Sequence, residues 1–439
     1  MTPVSAFDDL LLAEQEASGQ ASVTAALVRD GALQWSGAVG TVDGRDGAPA
    51  TPATPYRIGS ITKTFVAVEV MRLRDEGRLD LADRIERHLP DVPFGHVTIA
   101  QLLSHTSGLQ AETNGPWWER TPGGDWDELI GSGLELVHTP GTRFHYSNVG
   151  FAVLGRLVAV LRRTSWFDAV RVGILEPLGM QGVTLQPGGG AAVGLSHHPL
   201  DDRLMVEPHH DAGAMAPAGQ LWAGAEELAR WAAFAAGDTG DVLSAATWAE
   251  MVVPLAVDDR PGVPWATAQA LGWRIWPGNG SGRLVGHGGS MPGFLATAIA
   301  EPESGWGVVV LTNDTLRLGD LATGLLEAAR MLDQRPTPAT AVEPAPDVAD
   351  LVGDWFWGPV PYRLEATADG FHLSDAMANR RSRFVRDGDG WRGLDTYFAG
   401  ERLVVRPDGA LDLASFILSR EPYDPAVAHP GGLDPRGWH

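Results

Sequence analysis

Four prolines (Pro336, Pro338, Pro344 and Pro346) crowd residues 333–347, and the patterning of the chain changes there. Proline locks φ and removes a backbone donor, so such a stretch separates what folds before it from what folds after it. Upstream, strand and helix signals alternate in blocks. Residues 5–17 read as a short amphipathic helix, and 22–29 and 32–39 as two strands around Asp30-Gly31, a type I′ hairpin signal. From Ser60 the apolar spacing Ile61, Phe65, Val68, Met71 turns helical, and helical patterns recur at 80–88, 98–103, 149–162, 165–175 and 225–235. Strands return at 270–276, 283–285, 295–300 and 306–312, before a last helix at 320–332. This order predicts an α/β domain over residues 1–332: a sheet flanked by helices, a helical lobe, and a cleft between them. Downstream, short alternating runs with turns at Asp369-Gly370, Asp389-Gly390 and Asp408-Gly409 predict a small all-β domain over 348–439, most simply a barrel. A chain of 439 residues needs more than one core in any case.

Charge narrows the partners. Asp and Glu number 55 against 33 Lys and Arg, a net charge of −22. A surface that acidic repels phosphate backbones and anionic lipid, which argues against nucleic-acid and membrane partners. Cysteine is absent, so disulfides, thiolate nucleophiles and sulfur-ligated zinc are excluded. The opening residues carry neither a basic n-region nor an apolar run, and a cytoplasmic location is expected.

Of the 33 cations only Lys63 is lysine. Where arginine has replaced lysine everywhere else, the survivor marks a place that arginine cannot serve. Lysine loses its proton when buried, whereas arginine does not. Ser60 lies three residues earlier at a helix start, on the same face, where free N–H groups and the dipole suit an oxyanion. A serine hydroxyl beside a neutralised lysine is an activated nucleophile. The plainer explanation is an N-cap followed by a first-turn surface cation.

Two further groups stand out. Phe144-His-Tyr146-Ser-Asn148-Val-Gly leads into a helix, placing a tyrosine where it could cap a site; Asn148 as a simple N-cap is the alternative. Val285-Gly-His287-Gly288-Gly289-Ser290-Met-Pro-Gly293 ends a strand, and its glycines would let a substrate backbone lie close; a mere turn is the alternative. His197-His198, Asp201-Asp202 and His209-His210-Asp211 could ligate a metal but sit in a polar, turn-rich stretch, so no metal site is expected. No Gly-x-Ser-x-Gly elbow surrounds any serine, which disfavours the α/β-hydrolase fold.

Taken together, Ser-x-x-Lys, then Tyr-x-Asn, then His-x-Gly in place of Lys-Thr-Gly resemble the motifs of the penicillin-binding-protein and class C β-lactamase superfamily over residues 7–332. Leu102-Leu-Ser-His-Thr-Ser-Gly-Leu109 and Ala218-Gly-Gln-Leu-Trp222 fit the resemblance, and the tail beginning Leu351-Val-Gly-Asp-Trp-Phe-Trp357 looks like a lipocalin-like barrel. The resemblance implies a β-lactamase/transpeptidase-like antiparallel sheet and an acyl-enzyme mechanism without a cofactor. It makes Ser60 the nucleophile, with Lys63 taking its proton or holding Tyr146 as phenolate. Tyr146 becomes general base and later acid, Asn148 a partner of the substrate amide and of Lys63, and His287 an aid to Tyr146. The backbone N–H groups of Ser60 and Ser290 would form the oxyanion hole, and Gly288, Gly289 and Gln220 would border the substrate. Trp117, Trp118 and Trp126 are expected to wall the cleft, and in a peptide-cyclising thioesterase of this kind tail arginines such as Arg436 would meet the peptide carboxylate.

Histidine in the third motif points away from true β-lactamases, towards esterases and peptidases of the group. The expected substrate is a small or peptidyl ester, thioester or amide, including D-amino-acid peptides. An alternative within the resemblance is a penicillin-binding-protein-type thioesterase that macrocyclises a nonribosomal peptide delivered on a carrier protein. A β-lactamase, a D-Ala-D-Ala carboxypeptidase and a single-acylation sensor are weaker alternatives.

Overall fold

The computed structural model describes residues 3–201, 203–278, 282–316, 319–332, 346–367, 369–375 and 380–422. It divides into two compact units, residues 1–334 and 335–439. The proline-rich residues 333–345 and Arg436 lie outside the described residues.

The first unit is built on an eight-stranded antiparallel sheet. Its strands run, edge to edge, Ala32–Gly40, Ser22–Arg29, Trp306–Thr312, Phe294–Glu301, Arg283–Met291, Arg274–Pro277, Ala268–Gln269 and Ala256–Val257. Strand Ser22–Arg29 shows why the sheet is covered on both sides. Val23, Ala25 and Leu27 pack with Phe7, Leu11, Leu325 and Leu326 of helices Pro3–Ser18 and Leu321–Leu332. Ala26 and Val28 belong to a larger core shared with Phe65, Trp231 and the helical lobe. Alternation along a strand thus serves two apolar layers, so the strand reads as a continuous apolar run. At the Asp30-Gly31 turn both residues take positive φ, 47° and 78°, as a type I′ hairpin requires.

Three segments differ from the sequence pattern, the first being the expected strand 270–276, which begins only at Arg274 because a turn with Gly272 at φ 79° precedes it. The region 80–88, expected to be helical, forms only a 3₁₀ turn, Ile85–Arg87, because Asp80 and Asp83 spend their side chains on nearby backbone N–H groups. Strand Arg283–Met291 runs through the glycines expected to end it, since Phe294–Glu301 pairs with it along its length, Val285 with Ala300 through Met291 with Phe294.

The second unit is all-β. Eight strands, Gly353–Trp357, Val360–Ala366, Gly370–Asp375, Arg380–Asp387, Gly390–Gly393, Arg402–Val405, Leu411–Leu413 and Phe416–Leu418, pair in chain order. The first and last meet through Phe356 and Ser419, whose backbones exchange hydrogen bonds of 2.8 and 2.9 Å. The result is a nearly closed antiparallel barrel filled by Trp355, Leu364, Phe371, Phe384, Trp391, Leu403 and Leu413. Among the described residues no helix is long and apolar enough to cross a membrane.

Candidate active site

Ser60 sits in a 3₁₀ turn, Gly59–Ile61, that runs into helix Thr62–Asp75. No side chain caps that helix, so the Ser60 hydroxyl is not consumed as an N-cap. The turn is held against strand Arg283–Met291 by two glycines. A side chain at Gly59, which has φ +54°, would meet the Ser290 nitrogen at 2.5 Å, and one at Gly289 would meet the Ile58 carbonyl at 1.9 Å. A side chain at Gly288, by contrast, would make only an ordinary contact, with the Ala296 carbonyl at 3.8 Å. Strand Arg274–Pro277 pairs with Arg283–Met291 only up to Gly286, so from His287 onward that strand edge is left to the Ser60 turn. The backbones of Ser60 and Ser290 are thereby brought side by side.

Lys63, the second residue of that helix, is fully buried. Its Nζ lies 3.0 Å from Ser60 Oγ, 2.7 Å from Asn148 Oδ1 and 2.6 Å from the Ala218 carbonyl. Burial pushes its pKa down to about 7, with the Arg274 charge adding to the effect and the carboxylates of Glu112 and Glu119 opposing it. Asn148 is fixed from its other end, where Nδ2 donates to Glu112 Oε1 at 2.5 Å. A carboxylate can only accept here, so the amide nitrogen faces Glu112 and the amide oxygen faces Lys63. The helix that begins at Asn148 is capped by Ser147, whose Oγ accepts from the Gly150 N–H at 3.0 Å. Asn148 is therefore not the cap, and its side chain is available to the lysine.

The Tyr146 ring lies 4.9 Å from Lys63 Nζ. Burial raises its pKa well above that of an ordinary phenol, which keeps it protonated. His287 stands beyond it, ring centroids 6.3 Å apart. Its Nδ1 lies 2.5 Å from the Gly288 carbonyl, an acceptor, so Nδ1 carries the proton and Nε2 is a buried acceptor without a partner. Burial, then the charges of Arg274 and Lys63, depress its pKa to about 3, and it is neutral.

The structure thus gathers Ser60, Lys63, Tyr146, Asn148, His287 and the Ser290 backbone in one place. Gln220 is placed differently from the expectation for it: it is buried, with Oε1 accepting from the Ala212 N–H at 2.6 Å and Nε2 donating to the Leu185 carbonyl at 3.3 Å. Gly289 spends its missing side chain on the Ser60 turn. Of the tryptophans, Trp118 is buried with its indole N–H on Glu112 Oε2 at 2.9 Å, whereas Trp117 is exposed over Arg120 and Trp126 lies beside Arg156. His197 is engaged by Asp314 at 2.9 Å, and among the described residues no group of three metal-binding side chains assembles.

Three contributors escaped the sequence reading: Glu112, His105 and Arg274. His105 holds the Tyr146 loop from two sides. Its carbonyl accepts from the His145 N–H at 2.7 Å, its Nδ1 accepts from the Ser147 N–H at 3.0 Å, and its ring stacks on Tyr146 with centroids 4.3 Å apart. Leu102–Leu109 carried the signal for it, a histidine inside an otherwise apolar and hydroxyl-bearing run; nothing local marks Glu112 or Arg274.

A family model described as Beta-lactamase matches residues 7–330. The chain belongs to the Beta-lactamase family. A second model, a domain of unknown function, matches residues 344–420 and so covers the barrel. Beta-lactamase-like protein 2 of Dictyostelium discoideum is 27% identical over 316 residues, covering 64% of this chain and 55% of its own length. The chain spans about half the length of the curated relatives it matches. The octameric penicillin-binding protein homologue from Pyrococcus abyssi is similar in structure, with TM-score 0.67, 22% identity and coverage of 95% of this chain and 100% of that one. A D-stereospecific amidohydrolase from Streptomyces sp. aligns with TM-score 0.60 and 25% identity, covering 74% of this chain and 98% of its own. The fold is that of the β-lactamase and penicillin-binding-protein serine hydrolases, followed by a barrel.

Proposed function

We propose that this protein is an acyl-enzyme serine hydrolase or acyltransferase that cleaves ester, thioester or amide bonds, with Ser60 as nucleophile and neutral Lys63 as its base. The hydrogen-bond set of Lys63 carries the reading. A neutral amine has two N–H donors and one lone pair. Asn148 Oδ1 and the Ala218 carbonyl can only accept, and they take both donors. The remaining neighbour, Ser60 Oγ, is the one that can donate, so the lone pair faces its proton. A pKa of about 7 leaves much of the lysine in that form at neutral pH.

In this reaction the Ser60 oxygen bonds to the substrate carbonyl carbon while its proton passes to Lys63. The N–H groups of Ser60 and Ser290 receive the oxyanion. Tyr146, held protonated, gives its proton to the leaving group and is reprotonated from Lys63, so the bond from carbon to the leaving group breaks without releasing a bare anion. His287 Nε2 accepts a hydrogen bond from substrate or from Tyr146. Water, or an amine, then attacks the ester on Ser60 by the reverse proton path.

The similarity to a D-stereospecific amidohydrolase favours substrates with a D-residue on the acyl side. Intact-protein and product mass spectrometry after incubation with a peptidyl thioester ending in a D-residue tests the proposal, with Ser60→Ala as control. An adduct on wild type alone, followed by turnover, is expected. Linear acid assigns water as acceptor, and a product lighter by one water assigns an internal amine. Equal behaviour of wild type and Ser60→Ala towards both this thioester and a generic activated ester overturns the mechanism.

A further inference from the structure

A cavity of about 370 Å³ is lined by residues of the 113–132 segment and by Ala214 and Met215. It begins at Thr113, the residue after Glu112, and Trp118 forms one wall. That tryptophan is linked to Lys63 by three hydrogen bonds in series: Trp118 Nε1 to Glu112 at 2.9 Å, Glu112 to Asn148 at 2.5 Å, and Asn148 to Lys63 at 2.7 Å. Met215 and Ala214 form another wall, on the same 3₁₀ segment, Gly213–Ala218, whose last carbonyl holds Lys63. The cavity and the catalytic cluster thus share two pieces of framework.

Its walls are preformed. The Gly123 N–H donates to the Asp211 carbonyl at 2.8 Å and the Ala214 N–H to the Gly124 carbonyl at 2.9 Å, tying the two wall segments by their backbones. The chemistry of the lining is uneven. Leu129, Met215, Trp118, Pro116 and Pro122 supply apolar surface, and among the described lining residues the one ionisable side chain is Glu128 and none is a cation. Glu128 already accepts from the Asp125 N–H in its helix cap at 3.1 Å. Such a space favours an uncharged apolar group and repels a carboxylate.

We infer that this cavity is the acyl side-chain subsite of the enzyme, selecting bulky, uncharged aromatic or branched aliphatic side chains and rejecting acidic ones. The inference rests on the acyl-enzyme reading above and adds the substrate class to it. Trp118 then has a double position, lining the subsite while steadying the carboxylate that orients Asn148.

The experiment compares N-acetylcysteamine thioesters of N-acetyl-D-phenylalanine, N-acetyl-D-alanine and N-acetyl-D-aspartate on the full chain. Wild type should prefer phenylalanine over alanine in kcat/KM by roughly tenfold or more, the worth of apolar side-chain burial in a fitted pocket, and should turn over aspartate slowest. Thr121→Trp, on a partly exposed wall, and Leu129→Trp, from the buried side, each fill the space. In both, the ratio of kcat/KM for phenylalanine to that for alanine should fall towards one, for Leu129→Trp provided that circular dichroism shows it folded. If wild type acylates Ser60 with all three thioesters alike, or if Thr121→Trp leaves the preference intact, the subsite is wrong and the mechanism stands. If no thioester acylates Ser60, both fall.

Discussion

The two units each contain an eight-stranded antiparallel sheet, and they are wound in opposite ways. In the barrel every strand pairs with its neighbour in the chain, and one bridge between Phe356 and Ser419 brings the ring close to closure. In the catalytic sheet, Ser22–Arg29 lies between its hairpin partner and Trp306–Thr312, a strand from the far end of the unit. The barrel therefore depends on local turns and one filled interior. The catalytic sheet depends on long-range register, and with it the meeting of Ser60, Asn148 and Ser290. Damage to a turn or an interior side chain should stay in the barrel, whereas a shift at the Gly59–Ser290 contact should reach chemistry.

The largest effect tests where the chemistry resides. Ser60→Ala should remove the acyl adduct and lower turnover by roughly 10⁴-fold or more, with circular dichroism unchanged. Lys63→Arg keeps the charge but supplies no lone pair at Ser60, and turnover should drop by about 10³-fold or more; activity within tenfold of wild type would refute the neutral-lysine base. Next come the paired glycines. Gly289→Ala drives a methyl into the Ile58 carbonyl and should cost about 1–3 kcal/mol of stability, with a marked loss of kcat, while Gly288→Ala, whose methyl meets only an ordinary 3.8 Å contact, should be nearly silent in denaturant melts. In the barrel, Trp355→Ala removes a buried indole whose N–H donates to the Leu351 carbonyl at 2.7 Å. It should destabilise that unit by about 3–5 kcal/mol, seen as an earlier melting step, with the Ser60 burst retained.

The smallest effect concerns pH. Lys63 must be neutral to act, and its pKa is lowered from 10.5 to about 7, so kcat/KM should rise with pH through about 7. Glu112 works against that lowering, and Glu112→Gln should move the acid limb to lower pH. The unfolded chain keeps the lysine proton up to about pH 10, so this group's contribution to stability improves as pH rises from 7 towards that value. An acid limb that does not move in Glu112→Gln would remove Glu112 from the electrostatics of the site.

How much of this the sequence disclosed follows the same division. The barrel was legible because Asp-Gly turns and alternation are local signals, and the three turns at 369–370, 389–390 and 408–409 do fall between paired strands. Ser60, Lys63, Tyr146 and Asn148 could be singled out because each motif is short and the family pattern joins them. Glu112 and Arg274 could not, since their roles arise only when the 110–112 segment lies along 147–148 and when strand Arg274–Pro277 takes its place in the sheet. The full length of the strand through His287 is not legible in the sequence, because three glycines resemble a turn when the paired strand is unknown. Asn148 shows the subtler case: Ser147, one residue earlier, does the capping.

The isolation of Lys63 has a practical side. It is the single lysine of the chain, and it is fully buried. An amine-selective reagent therefore finds no side-chain target on the folded surface, and the same scarcity leaves no exposed lysine for isopeptide conjugation or amine cross-linking. Labelling at Lys63 becomes a reporter of opening at the Ser60–Lys63 cluster: its rate measures how often the helix face beside Ser60 parts from Asn148 and Ala218, without any engineered probe.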